Sequence, residues 1–235
     1  MNLRCSWRGC VVALLTVGVS VLTLAAPVAQ AGRANRGLPG AGSNPIAHVA
    51  WGVPHDDDLW SAYQAASGSR QALLGKLALV PRVVPLGWSW GVGQVRAEAA
   101  GIVAASQNGN PHALTEFATF VLNPWETKTA NGVDKGVVDG SSWNVRADQA
   151  WYRNMAAGIG SARALVIVQV DLPVAHRTSS RAPERIDTYA ARVLSALPHT
   201  TVYSDGGTSG WLTPEPDATL RSGTGVRYAR GFALN

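Results

Sequence analysis

The stretch ALVIVQVD, residues 164–171, decides the fold class. Six of its eight residues are apolar and they do not alternate with polar ones, which is the pattern of a strand covered on both faces, as in a parallel sheet. It ends on a carboxylate, Asp171. A second strand of the same kind, TTVYSD at 200–205, also ends on a carboxylate, Asp205. Between them APERIDTYAARVLSAL, 182–197, has helical apolar spacing with a proline near its start. Strand, loop, helix, strand is a βαβ unit.

The alternation extends outward in both directions. Upstream, helices are expected over 56–66, 71–80, 93–106 and 146–160, the last stopped by Gly160. β-type runs are expected at RVVPLGWSW (82–90) and EFATFVLNP (116–124), and NPIAHVAW is a strand or loop leading to Trp51. Downstream, a short helix is expected at 215–223 and a strand over 228–235. In parallel α/β folds the chemistry lies past the C-terminal ends of the strands. Asn123, Asp171 and Asp205 all fall there and can converge on one face.

The N-terminal part reads as a leader. Arg4 and Arg8 precede an apolar run from Val11 to Ala25, and Ala29-Gln30-Ala31 offers a small-x-small cleavage site. The run is shorter than the roughly 20 residues of a membrane-spanning helix, so no stable membrane insertion is expected after cleavage. The expected organisation is a signal peptide over 1–31, a Gly-rich linker over 32–43 and one domain over 44–235, secreted and monomeric. Both cysteines, Cys5 and Cys10, leave with the leader, so stability must come from a core. The formal charge of +5 drops to +3 without Arg4 and Arg8, and no Lys/Arg run remains, which argues against nucleic acid as a partner.

Two carboxylates at strand ends, with eight tryptophans after residue 31, fit glycoside hydrolysis. That reaction needs one carboxylic acid beside the leaving oxygen and a second carboxylate acting as nucleophile or water activator. Asp171 follows mostly apolar residues, so partial burial is expected; an aspartate capping a helix or turn is the plainer reading of the same position. The DDD run at 56–58 reads as an acidic helix start. The five histidines lack HxxxH or HxH spacing, so no zinc site is expected, and no nucleotide or GxSxG motif is present. No metal or cofactor is expected.

Taken in order, these landmarks resemble glycoside hydrolase family 6, the secreted cellulases. NPIAHVAW stands where the family has an early NP…W segment, which would give Trp51 a sugar-stacking role. VLNPWETK stands at the family's P-x-R-D-C motif, VQVD at VEPD, VYSDGGTSGWL (202–212) at YxDAGHxxWL, and RGFALN at RGFxxNVSN. The resemblance covers most of 44–235. It implies a distorted α/β barrel and inverting hydrolysis of β-1,4-glucan without metal or cofactor. It makes Asp171 the acid, Asp205 a carboxylate supporting the transition state, and Trp211 and Asn235 contacts to the sugar.

The departures are specific. The P-x-R-D-C aspartate is Thr127, with Glu126 beside it as a possible substitute and Lys128 where the cysteine would stand; Val121 replaces a tyrosine. Gln169 and Val170 replace the glutamate and proline of EPD, Thr208 replaces the histidine of DAGH, and WSW (88–90) replaces WLD. The family's later DTSRNG and KPPGESDG segments, the second carrying the proposed base, have no counterpart. The expectation is therefore a diverged, C-terminally truncated, incomplete (β/α) barrel. Its open last strand would expose apolar surface and lower its stability. The alternative reading is a non-catalytic remnant or a carbohydrate-binding pseudoenzyme that keeps the aromatic cleft.

Overall fold

A computed structural model describes residues 44–87, 89–122, 128–129, 132–133, 144–175, 181–208 and 222–234. The elements run in the order α1 (Asp58–Ala65), α2 (Gly68–Ala78), β1 (Val84–Gly87), α3 (Val95–Gln107), β2 (Thr115–Phe120), β3 (Lys128–Thr129), β4 (Gly132–Val133), α4 (Val145–Ile159), β5 (Ala164–Val168), α5 (Leu172–Ala175), α6 (Ala182–Ser195), β6 (Thr200–Asp205), a 3-10 turn (Gly225–Tyr228) and β7 (Gly231–Ala233). The expected leader (1–31), linker (32–43) and short helix at 215–223 lie wholly or mostly outside the described residues.

Five strands form one parallel sheet in the order β1-β2-β5-β6-β7. β3 and β4 pair antiparallel by themselves. The sheet does not close among the described residues, so the architecture is an incomplete barrel with β1 and β7 at its edges. Among the described residues no helix is long and apolar enough to cross a membrane.

Local sequence accounts for the helix boundaries. The acidic start of α1 is a cap: Asp57 Oδ1 accepts the Trp60 N–H at 2.7 Å, and its other oxygen takes Arg82 at 2.6 Å. Asn144 caps α4 in the same way, accepting from Ala147 N–H at 3.1 Å. Asn108 ends α3 with φ 42°, and Gly160 ends α4 with φ 57°. Pro183 sits in the first turn of α6, where a missing N–H costs nothing.

The sheet is covered unequally. Phe117 and Thr119 of β2, Val166 and Val168 of β5, and Val202 of β6 are buried, and helices α3, α4 and α6 pack against that face. Leu86, Ile102, Tyr152, Met155, Ile186 and Leu194 complete this core. The alternate residues Glu116, Ala118, Phe120, Ile167 and Tyr203 are only half-buried. On β5 the second face is buried at Leu165 and half-buried at Ile167, so the apolar run is covered on both sides, more fully on the helix side. Helix α4 meets α3 at Gly158, where an added Cβ would lie 2.9 Å from the Ala99 Cβ and closer still to the Arg96 carbonyl.

Candidate active site

β5 stops earlier than its sequence pattern indicates. The strand ends at Val168, and Gln169 (φ 51°) and Asp171 (φ 64°) both adopt left-handed backbone conformations. Side chains other than glycine rarely take this conformation, and it costs roughly 1–2 kcal/mol per residue. Such outliers persist only where the surroundings enforce them.

Two contacts enforce the turn. Val170 N–H donates to the Thr119 carbonyl of β2 at 2.8 Å, and Asp171 N–H donates to Asp205 Oδ2 at 3.0 Å. Asp205 is the last residue of β6 and only 3% exposed. The carboxylate of one strand end therefore holds the main chain of the other. The Asp171 carbonyl accepts from Val174 and Ala175 N–H and starts α5. Its half-buried carboxylate accepts no hydrogen bond among the described residues, so capping does not engage it.

The loop beyond Asp205 is fixed as well. Gly206 N–H donates to the Ala233 carbonyl of β7, and an added Cβ at Gly206 would sit 2.8 Å from that oxygen. Only glycine permits this approach. Thr208, half-buried, follows at the same end of the sheet.

The structure does not bring Trp51 to this end. Trp51 bridges Leu114, and Gly52 N–H donates to the Leu114 carbonyl at 2.8 Å. Leu114 precedes the first residue of β2, while the site lies beyond the last. The six residues of β2 separate the two levels by about 20 Å at the usual rise of a strand. Trp51 packs instead where the chain enters the sheet. Glu126, Thr127, Trp211, Asn235 and Asn123 lie outside the described residues.

A different tryptophan stands at the carboxylate end. Trp90 follows β1 directly, is 36% exposed, and accepts the Trp151 Nε1–H of α4 through its carbonyl at 2.7 Å. Asn154 fixes the same loop by donating to the Val92 carbonyl at 2.6 Å. β1 lies two strand spacings from β5, about 10 Å, so the Trp90 loop and the Asp171 turn leave the same end of the sheet. The sequence signal was the WSW segment after an expected strand, which marks an aromatic loop at a strand's C-terminal end.

No protein-family profile matches the chain. Endoglucanase A of Cellulomonas fimi is 30% identical over 178 residues, covering 75% of this chain and 37% of that protein. Among solved structures, the endoglucanase Cel6 of Mycobacterium tuberculosis superposes with a TM-score of 0.66 at 26% identity, over 82% of this chain and 64% of that one. It was solved with a thio-linked cellobioside derivative. In sequence and fold the chain is similar to family 6 cellulases. Cellobiohydrolase II of Humicola insolens, solved with glucose and cellotetraose, shares the fold with a TM-score of 0.58 at 20% identity, over 82% of this chain and 60% of that one. The chain spans a little over a third of the length of this curated relative and under two thirds of these solved chains.

Proposed function

We propose that the chain is a glycosidase acting on β-1,4-glucan with Asp171 as its general acid. The hydrogen bond from Asp171 N–H to Asp205 Oδ2 carries this reading, because it ties the main chain that bears one carboxylate to the side chain of the other. Asp171 gives its proton to the glycosidic oxygen as the C1–O bond breaks, and water attacks C1 from the opposite face and passes its extra proton to the solvent, which inverts the anomeric configuration. Asp205 anchors the Asp171 main chain and is the second carboxylate that supports the oxocarbenium-like transition state.

Trp90, partly exposed at the same end of the sheet, is our candidate for an apolar surface under the sugar. Thr208, Trp211 and Asn235 are assigned to the same cleft through the resemblance in their segments, and Glu126 or Thr127 to the turn after β2. Trp51 is left out because of its place at the other end of β2. We read residues 1–31 as an export leader, 32–43 as a linker and 44–235 as a monomeric domain acting outside the cell. N-terminal sequencing of the exported protein should begin at Gly32.

The test is reducing-sugar release from a soluble β-1,4-glucan by the wild-type protein beside Asp171→Asn. Asparagine keeps the left-handed backbone but has no proton to give. A loss of about 10²–10⁴ in kcat is expected. Equal rates in the two proteins would remove Asp171 from the chemistry, and glucan binding without turnover by the wild type would make the chain a binding module.

A further inference from the structure

Beneath the Asp171 turn lies a polar clamp centred on Gln169, a residue with no exposed surface. Its Oε1 accepts from Val121 N–H at 3.1 Å and Leu122 N–H at 2.9 Å. Its Nε2 donates to the Leu122 carbonyl at 2.9 Å and the Val170 carbonyl at 3.0 Å. Its backbone N–H donates to Thr119 Oγ1 at 2.9 Å, and that hydroxyl also meets the Tyr152 hydroxyl at 3.0 Å. All four hydrogen-bonding positions of the carboxamide are used. The network also fixes the orientation of the amide, since a flip would set N–H against N–H and oxygen against oxygen.

The clamp stands where the β2–β5 ladder gives out. The last paired residues are Ala118 and Ile167, and beyond them one main-chain bond remains between the two segments, from Val170 N–H to the Thr119 carbonyl. Gln169 replaces the missing ladder bonds with side-chain bonds to the two residues leaving β2, and with one to the carbonyl just before Asp171. A buried amide with every partner in place rigidifies its surroundings, whereas one left half-satisfied is costly.

We propose that Gln169 is a positioning residue of the acid site, and that its neutral amide holds the Asp171 turn and the exit from β2 in register at every working pH. A carboxylate here would satisfy the two N–H donors but set its second oxygen against two carbonyl oxygens. Only the protonated acid could donate to them, and to just one. The identity of this side chain therefore decides whether the clamp depends on pH. The proposal rests on Asp171 being the acid, so its test carries a readout independent of turnover.

The experiment compares wild type, Gln169→Glu and Gln169→Leu across pH 4–8, as pH–rate profiles on soluble glucan and as amide exchange of Val121 and Leu122 by NMR. In Gln169→Glu, kcat at pH 7 should fall about 10- to 100-fold with little change in KM, as expected when a reacting group is misplaced by about 1 Å. It should recover towards the wild-type value as the pH falls and the new carboxyl gains its proton. Val121 and Leu122 should lose protection in this variant as the pH rises, while wild type shows no such trend. Gln169→Leu should be impaired at all pH values without recovery. A Gln169→Glu profile parallel to wild type would overturn the proposal. If wild type itself cleaves no glucan, the functional reading fails and the exchange data alone judge the clamp: unchanged protection of Val121 and Leu122 in Gln169→Glu would reject it.

Discussion

Asp205→Ala removes the acceptor that holds the Asp171 turn. The lost bond is 3.0 Å long and ends on a carboxylate that is 3% exposed. Hydrogen bonds to charged groups contribute about 1.5–3 kcal/mol net. The left-handed strain at Asp171 is already present in the wild type and adds nothing further. The loss of about 1.5–3 kcal/mol lowers a urea midpoint by about 1 M. Asp205→Asn keeps a neutral oxygen at the same place and should lose only about 1 kcal/mol. Both variants should hydrolyse glucan more slowly, because one loses the position of the acid and the other the negative charge. The assay is equilibrium urea unfolding with amide exchange of Asp171 in the same samples. A midpoint for Asp205→Ala equal to wild type, with unchanged Asp171 exchange, would refute the reasoning.

Three further outcomes are expected. Burial raises the Asp148 carboxyl from 3.8 to about 6, so the native state holds its proton more tightly than the unfolded chain. Stability therefore falls as the pH rises from about 4 through 6, and Asp148→Asn should restore it above that window but change nothing below it. The shift corresponds to about 3 kcal/mol, and since this carboxyl is only half-buried, solvent screening leaves about 1–1.5 kcal/mol in urea titrations at pH 7. Gly158→Ala should destabilise by about 2–3 kcal/mol in thermal unfolding, because the added methyl meets α3, where an open helix site would gain up to about 1 kcal/mol. Trp90→Ala should weaken cello-oligosaccharide binding about tenfold by calorimetry without lowering the melting temperature, since the bond from Trp151 ends on the Trp90 main chain.

Much of the fold is legible in local sequence. α4 and α6 follow from apolar spacing bounded by Asn144, Gly160 and Pro183, and β6 spans the residues its pattern names. The meeting of Asp171 with the end of β6 follows from two parallel neighbouring strands whose sequence runs each lead to an aspartate, at the end of β6 and three residues past the end of β5. What stayed hidden depends on partners distant in the chain. The early end of β5 reflects bonds from residues 47–50 positions away, in β2 and just past it. The sign was a lone glutamine in an apolar run, since a buried amide must find partners. The place of Trp51 could not be read locally either. Its segment pairs with the beginning of β2, and a tryptophan before a loop looks the same at either end of a sheet.

Leaving-group dependence tests the central claim most directly. An aryl cello-oligosaccharide whose phenolate departs without protonation bypasses a general acid, whereas the natural glucosidic bond does not. Asp171→Asn should cut the rate on the natural bond by about 10²–10⁴ while lowering that on the activated substrate less than about tenfold. Equal losses on both substrates, or none on either, would contradict the assignment of Asp171 as the acid.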